Sequence, residues 1–179
     1  KDKEDLLRGV RDLAFIGLRE TLDETINSNE HTPGSAEMII SLGRAYLRYA
    51  REKSAFFGLM WEDRGDIEQR KATQNHKLNG FYILVDAVAA YCHEHAPARF
   101  GLLRTSSEQA TALTVATQLW ALAHGIATLE LNHMLDMFDR AATPEALLEE
   151  STRALLAGQR LDSPRQSTAL PRTQGELPL

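Results

Sequence analysis

Apolar residues recur along this chain at intervals of three and four over segments too long to be strands, and no alternating Val/Ile/Thr run lies between turn residues. That periodicity restricts the chain to an all-α fold, a multi-helix bundle of about six helices. A first helix is expected from Lys3 to about Asn29, with Leu6, Val10, Leu13, Gly17 and Thr21 on its inner face and Arg8, Arg11, Arg19 and Glu20 toward solvent. Pro33 suits the first turn of a second helix, which runs to about Glu52 and buries a stripe of Ile39, Leu42, Tyr46, Tyr49 and Ala50. Ser54 caps a short third helix ending at Met60 or Trp61, where charge and a glycine at 62–66 break the pattern.

A long fourth helix is expected from about Ile67 to His95. Its half from Phe81 to Cys92 is apolar nearly all round, the mark of a helix in the middle of a bundle. Pro97 and Gly101 close it, and Thr105 with Glu108 makes a capping-box pattern for a fifth helix reaching about Leu135. Thr143 as N-cap and Pro144 at the first helical position start a last helix ending near Gly158. From Gln159 onward the residues turn to Pro, Ser, Thr, Gln and Arg without an aromatic, so the expected division is a helical domain over 1–158 and a polar tail over 159–179.

A chain of 179 residues buries a real core without disulfides or metals. Its net charge of -5 opposes a phosphate-neutralising surface, so this chain alone is expected to bind DNA poorly. One cysteine, Cys92, and no signal-like N-terminal segment fit a reducing cytoplasm. The apolar stretch at 81–92 is too short to span a bilayer and is interrupted by Asp86, so no membrane span is expected. There is no glycine-rich phosphate loop, nucleophile elbow or spaced carboxylate pair, so neither an enzyme nor a cofactor is expected. Cys92, His93 and His95 cannot all point one way from a helix, and His133 with Asp136 lacks a third ligand, so no metal site is expected.

Two regions carry a family resemblance. The opening Lys1-Asp2-Lys3-Glu4-Asp5-Leu6-Leu7 resembles the junction where TetR-type regulators leave the recognition helix and enter a long connecting helix. Further on, Leu42-Gly43-Arg44-Ala45-Tyr46-Leu47-Arg48-Tyr49-Ala50, Phe56-Phe57-Gly58-Leu59-Met60-Trp61 and Trp120-Ala121-Leu122-Ala123-His124-Gly125-Ile126-Ala127-Thr128-Leu129 resemble the TetR subgroup named for its Trp-His-Gly signature. The likeness covers roughly residues 1–157. It implies the ligand-sensing and dimerisation body of a repressor whose N-terminal helix-turn-helix is absent from this sequence. It further implies a small-molecule effector, operator DNA bound only through the absent head, and a homodimer formed by the last two long helices. The rival is a standalone helical interaction or binding module that never carried such a head.

Phe15, Tyr46, Met60, Trp61, Phe81, Tyr82, Val85 and Trp120 supply the bulk to line an apolar cavity among the first, second, fourth and fifth helices, with Phe57 and Tyr91 as further aromatic bulk. Asp86 is a carboxylate inside an apolar helix. It either pairs with Arg44, Arg48 or His124, or reads a polar or cationic group on a ligand. His124 is either a satisfied core histidine or a ligand contact, with Trp120 one turn earlier on the same face. Leu119, Ile126, Leu147, Leu148 and Leu155 are the candidates for the four-helix dimer interface.

Overall fold

A computed structural model of the chain describes residues 3–28, 30–61, 80–95, 106–137 and 143–161. The described residues form six α-helices and a 3-10 turn, with no strand among them, so the fold is an all-α bundle. The helices are α1 (Lys3–Asn27), α2 (Ala36–Glu52), α3 (Ser54–Trp61), α4 (Phe81–His95), α5 (Ser106–Leu131) and α6 (Pro144–Leu161), with the 3-10 turn at Met134–Met137.

The second helix, not the fourth, is the hub. It packs against each of the other five, and nine of its residues, including Met38, Ile39, Leu42, Tyr46, Leu47 and Tyr49, are buried. Burial that dense on one helix stabilises the bundle chiefly through apolar surface withdrawn from water. Its start lies later than Pro33 suggests. Ser35 is the N-cap, its hydroxyl accepting from the Met38 amide at 3.1 Å. The turn ahead of it places Gly34 at φ +79°, a left-handed conformation that favours glycine. Where α2 crosses α6, a methyl group on Gly43 would stand 2.8 Å from Leu148 Cδ2, so the crossing depends on a missing side chain.

The inner row of α1 is Ala14, Leu18 and Leu22. This row is rotated by one residue from the expected one, and it leaves Leu6 at 70% and Leu13 at 64% exposure. Both rows have helical spacing, and only the neighbours decide which is covered. The expected start of the fourth helix at Ile67 lies outside the described residues. Only Ala87, Val88, Tyr91 and Cys92 of α4 are buried, and Asp86 is exposed. The reading of α4 as buried all round is therefore corrected: it covers one flank of the bundle, packing on α5 and α2. Its apolar outer residues are tolerated on a surface that is largely apolar in any folded protein.

The fifth helix has two distinct faces. Ala112, Val115, Ala116, Leu119, Ala123, Ile126 and Ala127 are buried, whereas Leu113, Thr114, Thr117, Gln118, Ala121, Thr128 and Leu129 are exposed. By length and composition alone its stretch Ala110–Leu131 could cross a membrane, but 39% of that apolar stretch is buried within the chain. Its apolarity divides between an inner face used by the bundle and an outer face left uncovered. The helix ends at Leu131 rather than near Leu135, because His133 takes φ 56° and the chain turns into the 3-10 segment. The last helix begins as expected, with the Thr143 hydroxyl accepting from the Ala146 amide at 3.2 Å, and continues to Leu161. The tail from 162 onward lies outside the described residues.

Candidate ligand site

Aromatic side chains from five helices meet around one imidazole. His124 of α5 lies edge to face with Trp61 of α3 at 4.7 Å between ring centroids, and 5.6 Å from Phe57, 5.9 Å from Trp120 and 6.4 Å from Tyr46. Trp61 in turn meets Phe15 of α1 at 5.8 Å and Trp120 at 5.5 Å, and Trp120 meets Phe81 of α4 at 5.9 Å. These separations are those at which aromatic pairs attract beyond their buried area. The cluster follows from local spacing. Phe57 and Trp61 stand four apart on α3, and Trp120 and His124 four apart on α5, so each pair shares one helix face.

Within the cluster the Tyr46 hydroxyl and His124 Nδ1 share a hydrogen bond 3.0 Å long. Burial raises Tyr46 well above the ordinary phenol value, with hydrogen bonding from the Trp120 indole working against it. Burial also lowers His124 below its ordinary 6.5, so the imidazole is neutral at pH 7. Cys92, expected to be an unpaired thiol, is buried on α4, and burial pushes its ionisation up. No group of three or more His, Cys, Asp or Glu side chains placed to hold a metal exists among the described residues.

Of the residues expected to bind a ligand, Phe15, Tyr46, Trp61, Phe81, Trp120 and His124 come together here. Tyr82 joins at the rim, 6.0 Å from Phe81 and partly exposed. Met60 is a buried core residue and Val85 is half-buried against the core. Asp86, being exposed, has no buried charge to compensate, and of its three postulated partners Arg44 bonds to Glu149, His124 bonds to Tyr46 and Arg48 is itself exposed. Phe57 belongs to the centre, and its place four residues before Trp61 on α3 is the signal that identifies it. Tyr91 instead stacks on His95 at 4.2 Å within α4.

The dimer candidates divide in the same way. Leu119, Ile126 and Leu148 are buried inside the single chain, Leu155 is half-buried and Leu147 is exposed. A side chain already enclosed by its own chain has no surface left for a partner, so the outer faces of α5 and α6 are represented by Leu113, Leu129 and Leu147.

A protein-family model described as "Tetracyclin repressor-like, C-terminal domain" matches residues 39–155. Among solved structures, the fold is similar to one titled "Structure of a protein with unknown function from Rhodococcus sp. RHA1". The TM-score is 0.65 at 20% identity, covering 88% of this chain and 75% of that one. At this identity the likeness speaks for the fold alone. No curated protein matches the chain.

Proposed function

This chain belongs to the family of tetracyclin repressor-like C-terminal domains, and from that membership we propose that it is the effector-sensing and dimerisation body of a TetR-type repressor. The observation that carries the reading is the convergence of rings from α1, α2, α3, α4 and α5 at one place. A small, largely apolar molecule entering between those rings would separate α3 from α1, since Phe15 of α1 rests on Trp61. The first helix is further held to α2 by the Tyr49 hydroxyl, which donates to the Ala14 carbonyl at 2.7 Å. Displacing α1 would respace DNA-reading heads attached at its N-terminal side, and the effector needs only unequal affinity for the two spacings. Leu6 and Leu13, exposed on α1, are available for packing against such a head.

In this reading the outer faces of α5 and α6 pair with those of a second copy as a four-helix interface. The protein works in the cytoplasm, where its operator lies, and carries out no chemistry of its own. A thermal-shift screen of small apolar compounds tests the effector site, because a compound that binds only the folded state raises the melting temperature. Hits should also shift the emission of the chain's two tryptophans, both of which stand in the cluster. A screen in which no compound does either sinks the effector reading.

A further inference from the structure

The 3-10 turn at Met134–Met137 sorts its side chains by threes, because residues three apart eclipse in such a turn. The His133 carbonyl accepts from the Asp136 amide at 3.2 Å, so the repeat begins at His133. Leu135 takes one edge and is buried, and the turn packs on α5. His133 and Asp136 take the second edge, Met134 and Met137 the third, and all four are exposed. Methionine is ordinarily an interior residue, as Met38 and Met60 are here, yet Met134 is 43% exposed and Met137 72%.

The histidine of this turn is held as metal-binding histidines usually are. Its Nδ1 lies 3.2 Å from Asp136 Oδ2. A carboxylate only accepts, so Nδ1 carries the proton of this bond and a neutral ring keeps its lone pair on Nε2. One ring nitrogen on a carboxylate, with the other left for an ion, is the arrangement that orients metal-ligating imidazoles. His, Cys, Asp and Glu alone form no ligand group of three among the described residues. Sulfur supplies what they lack. Met134 and Met137 are rooted about 6 Å apart, three residues at about 2 Å each, on the edge next to His133. Their unbranched side chains are flexible enough to close that gap.

We propose that His133 Nε2 and the Sδ atoms of Met134 and Met137 form a binding site for a soft monovalent cation, copper(I) or its closed-shell analogue silver(I). The donors decide the class, since thioethers select soft ions whereas magnesium, calcium and manganese require oxygen. Charge decides the valence: all three donors are neutral, and the Asp136 carboxylate behind the imidazole balances a single positive charge. The site stands apart from the ring cluster and does not depend on an effector there.

Silver(I), added as the nitrate in chloride-free buffer, tests the assignment on the whole chain. Cys92→Ala serves as the background, because it removes the one thiol that would compete for the ion. Of the four methionine methyl signals in carbon-proton NMR, silver should shift those of Met134 and Met137 and leave those of Met38 and Met60. Zinc(II) should move neither pair. Asp136→Asn should weaken silver binding about 10-fold or more, the usual cost of losing an outer-shell partner. Met137→Leu and His133→Asn should weaken it at least as much, and asparagine suits the left-handed backbone at position 133. All these side chains are exposed, so circular dichroism should show unchanged helicity. Silver that shifts no methionine methyl, shifts Met38 or Met60 first, or binds Met137→Leu as tightly as the background chain overturns the site. Methyl signals of Met134 and Met137 that respond to protein concentration and not to silver overturn it too, and assign these thioethers to a contact between copies.

Discussion

The phenol of Tyr46 and the imidazole of His124, separated by 78 positions of sequence, lie 3.0 Å apart and tie α2 to α5 inside an aromatic enclosure. Burial holds His124 below its ordinary 6.5 in the folded chain, so on acidification the unfolded chain takes up this proton first. The stability from keeping the imidazole neutral is therefore complete above about pH 6.5 and is lost as pH falls through the folded value. We expect the melting temperature to drop as pH falls below about 6.5, and His124→Phe to flatten that part of the curve. Parallel curves for wild type and variant would show that another group is responsible. Carboxylates such as Glu37 and Glu145, both held below 4.5, act only in a more acidic range.

The crossing of α2 and α6 is set by Gly43, whose missing methyl group leaves room for the buried Leu148. Gly43→Ala should therefore destabilise the chain by about 1–3 kcal/mol, the usual cost of overpacking a closed core. Gly58→Ala is the control, since nothing lies within 4 Å of the added methyl on α3. Removing that glycine should stabilise by roughly 0.5–1 kcal/mol through helix propensity. Urea unfolding of the two variants reads the difference, and equal effects would contradict the packing described here.

Arg51 of α2 bridges Glu130 of α5 and Glu145 of α6. Burial alone would lower the Arg51 value, but the two carboxylates raise it on balance. Glu130 keeps its second oxygen buried without a partner among the described residues, so losing the guanidinium leaves a poorly compensated carboxylate. Arg51→Ala should cost about 1 kcal/mol, the upper end for a partly exposed pair. The cost should exceed that of Arg44→Ala, whose pairing with Glu149 joins only α2 and α6. Denaturant midpoints for the two variants decide the order.

The sequence made the helices legible because their caps and apolar spacing act locally: Thr143 and Pro144 start α6 where expected, and Ser54 opens α3. What it hid was rotation. On α1 the rows containing Leu13 and Ala14 have the same period, and the choice of Ala14 is made by α2, whose Tyr49 hydroxyl reaches the Ala14 carbonyl. On α5, Leu119 and Ile126 have the spacing of a partner-facing seam, yet both are buried within the single chain. The ring cluster is largely readable because bulky aromatics have few other places to be buried. Asp86 lies in an apolar run that is not enclosed, because α4 sits on the flank of the bundle.

The outer face of α5 yields the last prediction. Leu113, Thr117, Ala121, Gly125 and Leu129 follow one another at intervals of four along that helix, and Leu113 and Leu129 are exposed in the single chain at 45% and 42%. Nothing lies within 4 Å of a methyl group added at Gly125, so no neighbour in the same chain accounts for a glycine there. In an isolated helix that glycine costs about 1 kcal/mol relative to alanine. If a second copy packs on this face, its small residues let two helices approach closely, with Leu129 and Leu147 of α6 closing the flanks. Gly125→Ala should then raise the stability of the dissociated chain while weakening self-association. Ala121→Arg, which introduces a charge on the same row, should give a monomer of unchanged helicity, because a buried unpaired charge opposes assembly but not the fold. Sedimentation over a concentration series, with circular dichroism on the same samples, separates the two effects. Dimers that persist in Ala121→Arg would place the partner surface elsewhere, and a wild-type chain monomeric at all concentrations would remove the interface altogether.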